Sequence, residues 1–296
     1  MGAETDFSEI PPFQILKSGE QRIPFVFNSP HSGRHYPPRF LAMSRLDSAT
    51  IRRSEDCYVE ELFSPAAALG APLLSANFPR AYLDVNREPW ELDPRMFREP
   101  VPPFANIRSP RVAGGLGTIP KLVGEGFNIY PDRLPLHEAL TRIEHIYKPY
   151  HKTLASLIRK TRERFGYAIL IDCHSMPANV RAGDGAPTPD FIIGDRFGSS
   201  AVAALTEYAV GILAAKGYTV AYNKPYAGGF ITEHYGRPAE CVHALQIEIN
   251  RGLYMNERTL ARTRHFDSLA ADLRDFIAAL TLIPARHFHP MRQAAE

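Results

Sequence analysis

The chain has 296 residues, of which 45% are hydrophobic and 22% charged, as in folded globular proteins and unlike disordered ones. Its formal net charge is only +2, which gives no reason to expect nucleic-acid binding, and no apolar run reaches the roughly 18 residues of a membrane span. The N-terminus carries acidic residues where a secretory signal would be basic, so we expect a cytoplasmic protein.

Short apolar runs bounded by turn residues predict buried strands. In chain order these runs are residues 23–27, 81–85, 167–171, 191–193, 218–221 and 244–249. Helical spacing of apolar residues predicts helices between the strands, at residues 56–69, 136–158, 198–215 and 256–280. Because strands alternate with helices, we predict an α/β fold. We expect a single domain over residues 1–296, with a central, mostly parallel (mixed) sheet and helices on both faces.

Residues 88–132 break this alternation. They are rich in proline, contain a glycine cluster at 114–117 and show little periodicity, so we predict a long loop or lid insertion. The apolar residues Phe97, Phe104 and Phe127 favour a packed covering over a disordered segment.

Two histidines follow predicted strands, where an open α/β sheet places its ligands. His31 comes directly after the first strand, and His174 lies where the apolar run 167–171 becomes polar. A single histidine in either place is more often structural, but two at strand ends indicate a metal site.

A catalytic zinc ion usually has three protein ligands from His, Asp or Glu and leaves one position for water. Asp56, at the start of the predicted helix 56–69, is the best local carboxylate, with Glu55 as its neighbour. Acidic residues are also common at helix N-termini because they cap the helix and favour its dipole. The spacing therefore leaves the choice of carboxylate open.

Alternation along the strand 244–249 places Gln246 and Glu248 on one face and apolar residues on the other. A carboxylate among so many apolar neighbours needs a cation or a cleft. Glu248 is therefore a candidate general base for a metal-activated water. A structural ion pair with an arginine is the alternative.

Arginine presents a planar fork that binds a carboxylate through two hydrogen bonds. Arg87, which follows Asn86 at the end of the run 81–85, is a candidate anchor for an acidic substrate. Further cations that can reach a cleft are Arg80, Arg133, Lys224 and Arg237.

The motifs at residues 28–33, 84–87, 172–175 and 223–250, in this order, resemble those of the N-formylglutamate amidohydrolase family. The most specific part is Gly228-Gly229-Phe230-Ile231-Thr232 followed by His234-Tyr235-Gly236-Arg237-Pro238 and Leu245-Gln246-Ile247-Glu248. This family is similar to zinc carboxypeptidases and to the aspartoacylase and succinylglutamate desuccinylase group, which implies a zinc-carboxypeptidase-like fold.

The resemblance implies a role for each matching position. The implied metal ligands are His31, Asp56 and His174, the implied base is Glu248, and the implied carboxylate anchor is Asn86 with Arg87. Further residues that we expect to bind the substrate are Arg80, Lys224, Gly228, Gly229, Thr232 and Arg237. The metal is expected to be Zn, although Co, Mn or Fe accepts the same ligands.

One departure from the family concerns the carboxylate ligand. The relatives usually have a His-x-x-Glu ligand pair, whereas Arg34 stands three residues after His31 here. The carboxylate ligand must then come from elsewhere, and Glu55 and Glu60 remain alternatives to Asp56.

The expected reaction is hydrolysis of the amide bond of an N-formyl or other small N-acyl acidic amino acid, most readily N-formylglutamate to formate and glutamate, within histidine degradation. Members of the family tied to histidine breakdown often carry a lysine before the glycine pair, where this chain has Ala227. A deacylase or carboxypeptidase for another N-acyl amino acid or short peptide is therefore an alternative. A non-catalytic metal- or ligand-binding module is the alternative of another class.

Overall fold

The computed structural model describes residues 7, 9–124, 126–180 and 188–288. The acidic residues Glu4 and Asp6, on which the expected location partly rests, lie outside the described residues. The strands are β1 (Phe13–Leu16), β2 (Phe25–Ser29), β3 (Leu73–Ala76), β4 (Leu122–Val123), β5 (Phe127–Asn128), β6 (Ala168–Met176), β7 (Phe191–Gly194), β8 (Val220–Tyr222) and β9 (Val242–Asn250).

Helices separate most of these strands. They are α1 (Pro38–Met43), α2 (Val59–Leu62), α3 (Pro65–Leu69), α4 (Pro110–Ala113), α5 (Leu136–Arg142), α6 (Lys148–Phe165), α7 (Ala203–Ala215), α8 (Phe230–Tyr235) and α9 (Phe266–Leu280). A π-helical turn, Ile143–Tyr147, joins α5 to α6 without a break.

The strands form a seven-stranded sheet in the order β1-β3-β2-β6-β9-β7-β8 and a separate two-stranded ladder of β4 and β5. The pairings β2–β6, β6–β9 and β7–β8 are parallel, whereas β7 runs antiparallel to β9. The predicted α/β fold with a mostly parallel, mixed sheet is thus confirmed.

The central strands β6 and β9 are buried along all nine of their residues. Burial on both faces explains why their sequences are apolar runs and not strict alternations. The polar side chains that interrupt these runs are therefore exceptions that require partners.

The described residues group into two compact units. One draws on the described residues within 1–14, 30–57 and 75–153, and its core contains Phe40, Phe78, Tyr82 and Tyr150. The other draws on residues 15–29, 58–74 and 154–296 and contains β2, β6, β7, β8 and β9 together with α7 and α9.

The predicted strand 81–85 is wrong. These residues are buried but irregular, and the N–H groups of Tyr82 and Leu83 both turn back to Pro79 O. Burial alone produced the apolar run, and β3 (Leu73–Ala76), which the sequence did not predict, occupies a place in the sheet instead.

Several helices differ in length from the predicted ones. The segment 56–69 contains two short helices, because Tyr58 has a left-handed backbone (φ 67°) and Pro65 begins a new helix. The segments 198–215 and 256–280 become helical only at Ala203 and Phe266. The helical run from Leu136 continues to Phe165, beyond the predicted end at residue 158.

The described residues of the segment 88–132 are mostly irregular, with only α4 and the β4–β5 ladder as regular elements besides a short 3₁₀ turn. Phe97 is buried, whereas Phe104 is 67% exposed and Phe127 39% exposed. The single domain with this segment as a lid stays a prediction.

Within the described part of the chain, no helix combines the length and apolar character needed to cross a membrane.

Candidate active site

His31 lies in the turn that follows β2 and is almost completely buried. The turn can pack this closely because Gly33 has no side chain: a Cβ atom there would lie 2.1 Å from Phe78 O. The Nε2 atom of His31 lies 2.8 Å from Oδ1 of Asp84, and Nδ1 lies 3.5 Å from Oδ2 of Asp56.

Asp56 is buried in the loop before α2 and does not cap that helix. Its N–H donates to His31 O at 3.0 Å, which ties the two residues together through the backbone. The neighbouring Glu55 is engaged elsewhere, because its two carboxylate oxygens accept from Arg52 Nε and Nη2, each at 2.8 Å.

His174 lies inside β6, not after its end as predicted, because the strand continues to Met176. Its Nε2 atom lies 2.9 Å from Oδ2 of Asp172, two residues earlier on the same face. The other oxygen of Asp172 accepts from Asn28 Nδ2 at 2.7 Å. The imidazole is thus oriented by a carboxylate that is itself held in place.

His31, Asp56 and His174 are buried, and each offers one ligand atom within 4.8 Å of the ligand atoms of the other two. Two imidazoles and one carboxylate are a donor set that divalent metals such as zinc accept. Histidines that bind metals commonly donate their second ring N–H to a carboxylate. Because Asp84 and Asp172 occupy the Nε2 side of the two rings, Nδ1 is the atom of each that would bind the ion.

Asp84 is surrounded by cations. Its Oδ2 atom lies 3.0 Å from Arg80 Nε and 3.6 Å from Arg87 Nε. Burial by itself would raise the pKa of the Asp84 carboxyl, but Arg87, His31 and Arg80 hold that pKa well below its usual range. Asp84 therefore stays ionised and accepts the His31 Nε2 proton, which fixes the tautomer of the ring.

Glu248 is paired with His174 in the parallel register of β6 and β9, and it is 8% exposed. Its Oε1 accepts from Gln246 Nε2 at 2.9 Å, as expected for two residues on one face of a strand. Gln246 in turn accepts the Gly229 N–H at 2.8 Å. A relay of hydrogen bonds thus fixes the carboxylate beside a candidate ligand.

Arg87 is mostly buried, with 11% of its side chain exposed. Burial lowers the pKa of its guanidinium, whereas Asp84 opposes that shift. Arg87 Nε donates to Leu116 O and Nη1 to Asn86 O, each at 2.9 Å. The buried Asn86 donates its own N–H to Asp84 Oδ1 at 2.8 Å. Asn86 and Arg87 are therefore fixed to the same carboxylate that orients His31.

The remaining predicted substrate residues differ in exposure. Lys224, which precedes a cis proline, and Arg237 are exposed, and Arg237 Nη1 donates to the carbonyls of Glu233 and Gly236. Thr232 is fully buried, and its Oγ1 has no hydrogen-bond partner among the described residues.

The glycine pair begins α8. Gly228 has a left-handed backbone (φ 118°), and a Cβ atom there would lie 3.1 Å from the Thr232 side chain and from Arg196 Cδ. Its carbonyl accepts from Arg196 Nη1 at 3.3 Å, and Arg196 also forms an ion pair with Glu233. A cation, Arg196, therefore lies next to Ala227, and this was not predicted from the sequence.

The contacts of Asp84, Asp172 and Gln246 were not predicted from the sequence. A signal was present for Asp172, because it stands two residues before His174 in a predicted strand and so shares its face. No signal linked Asp84 to His31, because their contact joins positions far apart in the sequence.

The mixed α/β sheet and the buried His–Asp–His group beside a glutamate define the class: an α/β protein with a group that can hold a metal ion. The chain belongs to the N-formylglutamate amidohydrolase family, whose model matches residues 23–255. The resemblance found in the sequence motifs is thus confirmed, and the chain is an enzyme of the amidohydrolase type.

Relatives bearing this activity in their names cover most of the chain. It is 31% identical to the N-formylglutamate deformylase of Pseudomonas putida over 82% of this chain and 86% of that protein. It is 28% identical to the N-formylglutamate deformylase of Pseudomonas aeruginosa over 83% of this chain and 87% of that protein. The crystal structure of N-formylglutamate amidohydrolase from Ralstonia eutropha JMP134 superposes with a TM-score of 0.87 at 35% identity, covering 92% of this chain and 98% of that one.

Proposed function

We propose that this enzyme hydrolyses the amide bond of N-formylglutamate to formate and glutamate, with a divalent metal held by His31, Asp56 and His174. The observation that carries the proposal is the buried His–Asp–His group in a chain of this family. The names of the two Pseudomonas relatives support the choice of substrate.

Zinc is the expected ion, with Co, Mn or Fe as alternatives that accept the same donors. When bound, such an ion supplies Lewis acidity towards the acyl oxygen and lowers the pKa of water towards about 7. The contribution of the protein is the orientation of the ligands: Asp84 and Asp172 hold the two imidazoles with Nε2 on the carboxylate side.

Glu248 is the proposed general base. Its carboxylate takes the proton from the attacking water and returns it to the nitrogen of the departing glutamate, so that the proton count balances over the reaction. The hydrogen bond from Gln246 fixes the rotamer of Glu248, and the in-register pairing with His174 keeps it next to a ligand. General acid–base catalysis of this kind typically contributes about 10² to 10⁴ in rate.

Asn86 and Arg87 are the proposed anchor for a substrate carboxylate. Arg87 Nε and Nη1 are fixed by backbone carbonyls, so the guanidinium is preorganised and loses little freedom when a carboxylate binds. Fixing the substrate in this way favours attack because the reacting atoms start close together. Arg80, Gly228, Gly229 and Thr232 are further proposed substrate-binding residues, together with the exposed Lys224 and Arg237.

Because Ala227 stands where members tied to histidine breakdown often carry a lysine, an N-acyl amino acid other than N-formylglutamate is an alternative substrate. The two substrates differ in which acyl group and which side chain the site accepts. A panel of substrates separates them directly.

The full chain is stripped of metal with a chelator, then supplied separately with Zn²⁺, Co²⁺, Mn²⁺ or Fe²⁺. Amine and acid release is measured for formyl, acetyl and succinyl derivatives of glutamate, aspartate and a neutral amino acid. We expect formate release from N-formyl-L-glutamate to be the fastest reaction of the panel and to depend on the added ion. Preference for another acyl group would replace the substrate, and full activity in the stripped enzyme would remove the metal from the mechanism.

A further inference from the structure

The segment 82–87 carries Asp84, Asn86 and Arg87, but it forms no part of the sheet. Residues 82–86 are buried, and buried carbonyls away from a ladder need other hydrogen-bond partners. Whatever supplies those partners also sets the position of the proposed anchor.

Three carbonyls of this segment accept hydrogen bonds from side chains of one helical stretch, which runs through α5, the π turn and the start of α6. The bonds are Arg142 Nη1 to Tyr82 O at 3.0 Å, His151 Nε2 to Val85 O at 2.9 Å and Tyr147 Oη to Arg87 O at 2.7 Å. Because a carbonyl only accepts, His151 carries its proton on Nε2.

The π turn brings these three donors to one side of the helix. Arg142 and Tyr147 are five positions apart, which in an α-helix would separate them by roughly 140° around the axis. A π turn closes from one residue to the fifth residue after it, so Tyr147 returns towards the side of Arg142. His151 follows four positions later at ordinary α spacing and stays on that side.

The donors are themselves held in place. Arg142 is 1% exposed, donates to Tyr130 Oη at 2.9 Å and to Glu138 at 3.3 Å, and lies 4.0 Å above the Tyr82 ring. The Tyr147 ring stacks on the His151 ring with centroids 4.3 Å apart. Donors fixed in this way can define the position of the backbone they bind.

We propose that Arg142, Tyr147 and His151, the π-turn brace, are positioning residues that set the carboxylate anchor of the substrate site by holding the backbone of residues 82–87. Tyr147 holds Arg87 through the Arg87 carbonyl, and His151 holds it through the carbonyl of Val85, two residues earlier. This inference rests on the proposed function for the role of Arg87, and it adds a reason for the π turn to lie where it does.

Two variants each remove one donor, and a third restores one. Tyr147→Phe deletes one hydroxyl, His151→Leu deletes the ring donor, and His151→Gln keeps an N–H near the position of Nε2. The brace predicts that KM for N-formyl-L-glutamate rises about 3- to 10-fold in Tyr147→Phe and His151→Leu, with kcat changed less than about 2-fold, and that His151→Gln recovers most of the loss. Ile158→Val, a buried change in α6 away from the brace, serves as the control for lost stability.

Hydrogen exchange of the amides of residues 82–87 gives a readout that does not need activity. Exchange should rise in Tyr147→Phe and His151→Leu and stay at the wild-type rate in His151→Gln and Ile158→Val. Equal exchange in all variants would overturn the brace, as would raised exchange with an unchanged KM. A wild-type enzyme that does not hydrolyse N-formyl-L-glutamate would refute the proposed function instead, and the exchange rates would then decide alone whether the brace holds this segment.

Discussion

His174 and Glu248 lie side by side in the register of two parallel strands, and Asp172 and Gln246 form the pair two positions earlier in the same register. The first pair consists of a candidate ligand and the candidate base. In the second pair, Asp172 contacts His174 and Gln246 donates to Glu248. The candidate ligand and the candidate base are therefore positioned by a single hydrogen-bonded ladder at the buried centre of the sheet.

Replacing His174 with alanine should remove most of the bound metal, because the remaining two ligands cannot retain a catalytic ion at high affinity. Metal content per chain, measured on purified protein by elemental analysis, checks this. His137→Ala, a change at a histidine that is 67% exposed, is the control and should keep wild-type metal content. Stoichiometric metal in His174→Ala would remove His174 from the site.

Asp172→Asn should weaken metal binding without removing a ligand. The amide cannot hold the His174 ring as the carboxylate does, and loss of such a support typically costs about 10- to 100-fold in metal affinity. Competition with a chromogenic chelator measures the affinity. Asp272→Asn, at a partly exposed carboxylate on α9, should bind metal as the wild type does. Equal affinities in both variants would mean that Asp172 does not support the ring.

Arg87→Lys should leave the protein folded but raise KM by about tenfold or more, because an ammonium cannot reproduce the bidentate fork. For substrates whose carboxylates are amidated, KM should differ little between the variant and the wild type. Steady-state kinetics together with the melting temperature checks this. An unchanged KM in a stable variant would place the anchor elsewhere, with Arg80 as the next candidate.

The fold and several site positions were predictable from local patterns. The strands that became β6, β7 and β9 are long or bounded apolar runs, and His31, His174 and Glu248 stand out because they are polar beside such runs. Each of these signals lies within a few residues of sequence.

What could not be predicted depends on contacts between distant positions. Residues 81–85 look like a strand because they are buried, yet the carbonyls of Tyr82 and Val85 accept hydrogen bonds from side chains of α5 and α6. The role of Asp84 depends on His31, 53 positions away in the sequence. Periodicity reports burial, but it does not report which element provides the partner.

The buried Asp195 should stabilise the loop that leads to the glycine pair. Its carboxylate accepts hydrogen bonds from Gly198, Thr206, Tyr222 and Asn223. Burial alone would raise the pKa of the Asp195 carboxyl, but these hydrogen bonds lower it below its usual value.

Because the folded-state pKa of Asp195 is lowered, its stabilisation is fully present above the unfolded value of about 3.9 and is lost as pH falls through the folded value. Asp195→Asn should therefore reduce the free energy of unfolding by about 1 to 3 kcal/mol at pH 7. Urea unfolding at several pH values should show the gap from wild type narrowing below about pH 4. A gap that stays constant down to pH 3 would show that ionisation of Asp195 contributes nothing.

Glu248→Gln tests the mechanism most directly, because the amide keeps the shape of the side chain but cannot accept a proton. Glu163→Gln, at an exposed glutamate on α6, is the matched control. If Glu248 instead served only as a buried ion-pair partner, the variant would lose about 3 to 5 kcal/mol of stability.

The measurement is kcat for N-formyl-L-glutamate, metal content and melting temperature on one preparation of each protein. If Glu248 is the general base, kcat falls by about 10² to 10⁴ in Glu248→Gln, while metal content and melting temperature stay at the values of Glu163→Gln. A folded, metal-loaded Glu248→Gln enzyme with near-normal kcat would contradict it.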